Sequence, residues 1–331
     1  MKIPEFYRAL YSEKEGGRHN ISVKRVSFKT LPPNDVVIRV QYSSLNYKDA
    51  LSVKGLNNVT KAYPHVPGID AAGIVLQDIS DTFEEGVKVI VTGNDLGTNM
   101  FGGFGEIIRV PKEWVVVLPE NLPLKQSMVF GTAGFTAMYG VERLKREHIS
   151  PESGPILVTG ATGGVGSLSV FFLSQLGYDV IASTRKASKF TFLKELGARK
   201  VLHSDEIMNV TSSPLLSRKW AGAIETVGGN LLDTVLRQTQ NKGAVACCGN
   251  ILGKELETNV YPFILRGISL LGIDSAFCDF ELRQKIWKGI SSIDHTLLPK
   301  SFYKTVSLDT LKQEIDLILE GKQVGRVLVK H

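Results

Sequence analysis

Cysteine is scarce in this chain. Its 331 residues contain three, and two of those, Cys247 and Cys248, are adjacent, so no disulfide framework can be drawn from their spacing. A reducing compartment, the cytoplasm, is the expectation. Long apolar runs are missing too. Even Phe263 to Ile273 is interrupted by Arg266, and nothing approaches the roughly 20 residues a membrane helix needs. The opening Met1-Lys2-Ile3-Pro4-Glu5 lacks the apolar centre of a secretory signal. The net charge of +6 is spread over short stretches such as Arg185-Lys186, Lys194-Glu195 and Arg199-Lys200, and a solvated face is the default reading. No basic tail or aromatic–basic motif marks a nucleic-acid surface, although the positive balance suits a polyanionic cofactor or substrate. Internal repeats and low-complexity segments are also absent.

What is present is enough for two domains, taking about 150 residues per domain. Hydrophobic residues make up 43% of the chain, so a sizeable core can be buried. The first ~125 residues read as short strands bounded by turns, over Val36–Val40, Gly73–Leu76, Val87–Val91, Gly105–Val110 and Trp114–Leu118, which implies a barrel-like domain. From Leu124 the period changes. A helix is expected over Ser127–Leu144, in two pieces around Gly131–Gly134. Strands at 156–159, 179–183, 200–202, 223–226 and 244–248 then alternate with helices at 165–176, 187–196 and 230–239. This is the pattern of a doubly wound parallel sheet, an α/β class. Gly267–Ile273 reads as a last strand exposed for pairing with a second copy. Leu308–Glu320 and Arg326–Val329 read as a final helix and strand.

The turn Thr159-Gly160-Ala161-Thr162-Gly163-Gly164-Val165-Gly166 carries the most chemistry. Ala161, Gly163 and Gly166 fill the small positions of a G-x-G-x-x-G turn between an apolar strand and an apolar helix. Small residues there let the backbone approach a pyrophosphate, which the amides of the helix N-terminus then hold. An NAD-selective site carries an acid roughly 20 residues further on. No acid lies between Asp179 and Glu195. Ser183-Thr184-Arg185 stands there instead, and an arginine can give charge-assisted bonds to a 2′-phosphate. NADPH is therefore the expected cofactor.

Ser43–Leu51 (SSLNYKDAL), His65–Asp70, Gly102–Glu106, Gly131–Ala137, Ala161–Gly166, Phe263–Ser275 and Gly325–Lys330 occur in the order seen in one group. Together they resemble the zinc-free quinone oxidoreductase branch of the medium-chain dehydrogenase/reductase superfamily, in particular the YhdH/YhfP family, which includes acrylyl-CoA reductases. The resemblance covers essentially the whole chain. It implies a GroES-like β-barrel catalytic domain at 1–125 and 298–331, built around a doubly wound Rossmann NADP-binding domain at 126–297, in a homodimer. Zinc enzymes of the superfamily place a cysteine near position 46 and a Gly-His-Glu motif where this chain has Gly68-Ile69-Asp70. Neither the cysteine nor the histidine is present, the structural zinc cluster is missing, and His65 is isolated, so no metal is expected.

Without such ligands, alcohol oxidation is poorly served, since nothing would lower the hydroxyl pKa. Hydride transfer to a quinone or to the activated C=C of an α,β-unsaturated carbonyl, acrylyl-CoA among them, is the expected reaction. Tyr47 is the first catalytic candidate, as a donor to a carbonyl or to the nicotinamide ribose, with a barrel-wall aromatic as the alternative. Asn46 is assigned to orientation and Asp49 to a supporting hydrogen bond. The resemblance places Thr162, Gly163, Gly164 and Val165 at the pyrophosphate, Ser183, Thr184 and Arg185 at the 2′-phosphate, and Ser204 where relatives carry an arginine. Asn250, Ile264 and Ser275 correspond to the nicotinamide half, and Arg326 to closure of the cofactor cleft, with a plain structural role as the alternative for Asn250, Ile264 and Arg326. A cofactor-bound interaction protein or RNA-binding protein is the non-catalytic alternative.

Overall fold

The structure is a computed structural model that describes residues 2–331, with the side chain of Arg18 outside the described set. The chain divides into two compact units. One takes the chain up to Thr132, Ala276–Ser291 and Lys300–His331; the other takes Ala133–Ser275 and Ser292–Pro299.

The first unit is the GroES-like barrel. Its seven-stranded sheet runs in the order Tyr303–Val306, Arg326–Lys330, Val36–Ser44, Asp70–Asp78, Lys88–Thr92 and Val115–Val117, with Ile107–Val110 also pairing to Val36–Ser44. β-Branched residues at alternate positions make the core: Val36, Ile38 and Val40 pack with Val75, Val89, Val91, Ile108 and Val110. A ten-residue pair of strands, Phe6–Glu15 and Arg18–Ser27, forms a separate antiparallel sheet. These two strands are not anticipated above, because their many charged residues mask the inward alternation of Tyr7, Ala9 and the residues that follow.

The C-terminal segment completes this unit. Leu311, Ile315, Val327 and Val329 share a core cluster with Leu45, Ala50 and Val53, and Leu328, Val329 and Lys330 lie antiparallel to Ser44, Ser43 and Tyr42. The helix Phe280–Ser291, expected with the nucleotide-binding domain, groups with the barrel instead. Its buried Arg283 donates to the Thr92 carbonyl at 2.7 Å and to the Ala276 carbonyl at 2.9 Å, and a buried arginine must spend its donors.

The second unit holds a six-stranded parallel sheet in the order Lys200–His203, Val180–Thr184, Ile156–Val158, Trp220–Glu225, Thr239–Cys247 and Ser269–Gly272. The strand order reverses between Ile156–Val158 and Trp220–Glu225, which is where open parallel sheets take ligands. Ser269–Gly272 ends the order and pairs on one side only. Among the described residues no helix is long and apolar enough to cross a membrane.

The expected helix around position 131 runs Leu124–Arg146 and breaks at Gly131, with φ 52° and ψ −154°. A Cβ there would stand 2.4 Å from both Asp70 Oδ2 and Ser44 Oγ. Gly131→Ala should therefore lower stability by on the order of 1–3 kcal/mol; calorimetry showing no loss of Tm would contradict this.

Candidate active site

Asp70 begins its strand opposite Thr92 and is wholly buried. An ionised carboxylate without water needs every lone pair answered. Ser44 Oγ donates to Oδ2 at 2.5 Å and Asn46 Nδ2 at 2.7 Å. Thr132 donates its hydroxyl to Oδ1 at 2.5 Å and its backbone N–H to both oxygens at 3.0 and 2.9 Å. Arg326 Nη2 forms the ion pair, 3.9 Å from Oδ2. The break at Gly131 is what turns the Thr132 amide toward this carboxylate.

Arg326, expected to close the cofactor cleft, lies inside this network in the structure. Its side chain is only 2% exposed. Its donors go to Val129 O at 3.1 Å, Leu45 O at 3.1 Å, Asn46 Oδ1 at 3.3 Å and Ser44 Oγ at 2.8 Å. Burial lowers its pKa, opposed by Asp70 and then Asp49. The guanidinium ties the C-terminal strand to the residues around Asp70.

Ser43-Ser44-Leu45-Asn46-Tyr47 passes from strand end to helix, and Tyr47 is the first residue of the helix Tyr47–Lys54. Asp49, three residues in, accepts from the Asn46 N–H at 2.7 Å and from the Ile69 N–H at 2.8 Å. It thus fixes the helix start and ties it to the chain leading into Asp70. Asp49 is fully buried; burial first, then the Asp70 charge, pushes its pKa up to about 7. Asn46, held from both sides by Asp70 and Arg326, is buried, while the next residue, Tyr47, is 43% exposed. The network anchors the backbone on one side of the tyrosine and leaves its ring to solvent.

This donor set does not suit zinc. Asn46 offers an amide, Ile69 a hydrocarbon, and Asp70 a carboxylate already engaged by Arg326 and by four hydroxyl or amide donors from three residues, whereas zinc is held by thiolates, imidazoles and carboxylates free to ligate it. Asp70 and Thr132 are central to this network, and neither stands among the site residues expected above. Asp70 had been noted only as the last residue of a motif lacking its histidine.

In the second unit the glycine turn is built as a phosphate cradle. Gly160 has φ +57°, and a Cβ on Gly166 would lie 2.5 Å from Gly160 O. The helix Gly164–Gln175 starts immediately after Gly163, and its first amides have no intrahelical acceptor. Gly163 is exposed, and Gly164 and Val165 are half-buried. The dipole and these N–H groups favour an anion. Thr162 is buried, its hydroxyl 3.2 Å from that of Thr184.

Ser183 and Ser204, predicted from different strands, are brought together, their hydroxyls 3.2 Å apart. The Arg185 side chain is exposed. Lys186 follows it, half-buried, with its pKa lowered by burial and then by Lys189 and Arg185. That cationic cluster is a second feature missed above, where the lysines read as a solvated face; an anion placed there would relieve the mutual repulsion. Asn250 is exposed in a turn whose Gly253 N–H bonds its carbonyl at 3.1 Å. Ile264 is 67% exposed on the short helix Tyr261–Arg266, and Ser275 accepts from the Thr136 hydroxyl at 2.8 Å. These three lie on separate elements.

Residues 32–120 match the family model "Alcohol dehydrogenase GroES-like domain" and residues 164–288 the model "Zinc-binding dehydrogenase". The acrylyl-CoA reductase AcuI of Ruegeria pomeroyi is 39% identical over 317 residues, 96% of each chain. The Bacillus subtilis protein yhfP, solved with NAD bound, superposes with TM-score 0.95 at 43% identity, covering 99% of this chain and 100% of that one. The yhdH oxidoreductase of Salmonella enterica, solved with NADP, gives TM-score 0.93 at 40% identity, covering 98% and 99%.

The raised Asp49 pKa has a testable sign. The protonated form is favoured in the folded state, so its contribution is fully present below the ordinary value of 3.8 and is lost as pH rises through about 7. The Tm advantage of wild type over Asp49→Asn should therefore shrink between pH 5 and pH 8. Parallel Tm curves for the two proteins would refute it.

Proposed function

The chain belongs to the YhdH/YhfP family, in the zinc-free quinone oxidoreductase branch of the medium-chain dehydrogenase/reductase superfamily, and on that premise we propose that it reduces the activated C=C of an α,β-unsaturated carbonyl. A short enoyl-CoA of the acrylyl class is the leading acceptor, and a quinone is the second. One observation carries the reading: a phosphate cradle occurs in the same chain as a barrel site whose zinc-ligand positions hold Asn46, Ile69 and an Arg326-paired Asp70.

NADPH, when bound, supplies the hydride. The turn residues Thr162, Gly163, Gly164 and Val165 offer amides to the pyrophosphate, and Ser183, Thr184 and Arg185, with Lys186 beside them, offer hydroxyls and charge to the 2′-phosphate. Ser204 supports Ser183 through its hydroxyl. Hydride received at the β-carbon drives electron density onto the acceptor's carbonyl oxygen, and Tyr47 O–H is the donor assigned to that developing enolate. Asn46 and Asp49 hold the start of the Tyr47 helix, so that the phenol is positioned before substrate arrives. Water supplies the proton to the α-carbon. Asn250, Ile264 and Ser275 are assigned to the nicotinamide half. The open edge of Ser269–Gly272 suits pairing with a second copy, and a cytoplasmic homodimer is the proposed form.

An assay of NADPH oxidation with acrylyl-CoA, 1,4-benzoquinone and a simple enone tests the reading. Turnover of at least one is expected, and turnover of none would sink it, with salt-sensitive RNA binding then favouring the non-catalytic alternative. Arg185→Ala should raise KM for NADPH about tenfold or more, as loss of a charge-assisted bond does; an unchanged KM contradicts the 2′-phosphate assignment. Tyr47→Phe should cut kcat/KM with the fold intact, and an unchanged value would reduce the phenol to a wall residue.

A further inference from the structure

We propose that Glu225 is the positioning residue that sets the shape of the dinucleotide crevice, by tying together the loop tips at the point where the parallel sheet reverses its strand order. The inference rests on the dinucleotide-binding reading and adds the side chain that holds that site in form.

Glu225 ends the strand Trp220–Glu225, the neighbour of Ile156–Val158 across the switch point. It is wholly buried, and its two oxygens gather donors from both sides. Thr159 Oγ1 donates to Oε1 at 3.0 Å and Val227 N–H to Oε1 at 3.0 Å. Gly228 N–H reaches both oxygens, at 3.1 and 3.0 Å. Thr159 immediately precedes the glycine turn. Its hydroxyl oxygen accepts from Thr226 N–H at 2.9 Å, and its carbonyl accepts from the Thr226 hydroxyl at 2.9 Å.

The third loop joins at the same place. Cys248 N–H donates to Glu225 O at 3.0 Å, and Cys247 Sγ stands 3.9 Å from Oε2. A Cβ on Gly249 would lie 1.9 Å from Thr226 O, and one on Gly160 would lie 2.4 Å from Thr226 Oγ1. The loops are therefore packed with no slack around this carboxylate.

The chemistry asks for an acid. Donors converging on one buried point need an acceptor-only group with about four lone-pair sites, which a carboxylate has. Glutamine has the same shape but a single oxygen; placed to serve Thr159 and Val227, it would set its NH2 where Oε2 now accepts from the Gly228 N–H, donor against donor in a buried place. The carboxyl of Glu225 is turned inward onto these donors; burial pushes its pKa up, and the bonds from Gly228, Thr159 and Val227 oppose that shift. It touches no reacting atom and acts through the geometry of Thr159, Gly160 and Gly228.

Glu225→Gln in the full-length protein is the test, read first by equilibrium NADPH binding without acceptor. The Kd for NADPH should rise tenfold or more, on the order expected for an unsatisfied buried donor. KM for NADPH should rise in step, while KM for the acceptor stays. A merely structural residue would lower Tm and the folded fraction but leave the Kd of the folded molecules within twofold, and that result overturns the proposal. If Glu225→Gln does not fold, Thr159→Val removes one donor from the same carboxylate and should weaken NADPH binding in the same direction; an unchanged Kd there overturns it equally. Wild-type protein that binds no NADPH would refute the dinucleotide reading itself, a distinct failure.

Discussion

Burying Asp70 against Arg326 imposes most of the local geometry of the barrel site. Two charges taken out of water lose several kcal/mol each, and their attraction offsets this only when the remaining donors and acceptors are satisfied. That requirement recruits Ser44, Asn46 and Thr132 to the carboxylate and the carbonyls of Leu45 and Val129 to the guanidinium. It also recruits chain ends, because Asp70 and Arg326 come from strands far apart in sequence. Losing one partner of such a pair costs roughly 3–5 kcal/mol, comparable with the ~5–15 kcal/mol that separates most folded proteins from their unfolded chains. The C-terminal segment is thus fastened into the barrel by charge as well as by the Val327 and Val329 packing.

The consequence for chemistry is division of labour. Where a zinc enzyme of this superfamily would set thiolate and imidazole around a Lewis acid, this barrel sets a closed polar network whose job is to hold a helix start. Tyr47 is exposed at that start, and its phenol O–H is the hydrogen-bond donor we propose. Such a donor suits a carbonyl gaining negative charge and does little to deprotonate an alcohol. Reduction of a polarised double bond or of a quinone matches what the residues can do.

Much of this was legible in the residues. The glycine turn, the missing acid after Asp179 and the alternation of strands and helices predict the nucleotide-binding unit nearly element by element, because each signal is local. The Phe6–Ser27 strands, the Tyr47–Lys54 helix and the placement of Phe280–Ser291 were not legible. Each is decided by distant partners: charged strands by the loops they bridge to, Tyr47–Lys54 by Asp49 reaching Ile69, and Phe280–Ser291 by Arg283 reaching Thr92. The pairing of Arg326 with Asp70 was hidden for the same reason, since nothing near Arg326 in sequence shows that carboxylate. Glu225 and Lys186 were present as letters but not as sites. Their meaning lies in which loops converge on them.

Isotope transfer in metal-stripped protein separates zinc-independent hydride transfer to a carbon–carbon double bond from metal-dependent chemistry. Protein dialysed against a chelator, and shown by elemental analysis to hold far less than one zinc per chain, would be given acrylyl-CoA and NADPH carrying deuterium at both C4 positions, with 1,4-benzoquinone as the parallel acceptor for turnover. Undiminished turnover is predicted, with one deuterium at the β-carbon of the reduced acyl group. Activity that disappears with the metal and returns with added zinc, or a reduced acyl product carrying no deuterium, would contradict zinc-independent hydride transfer.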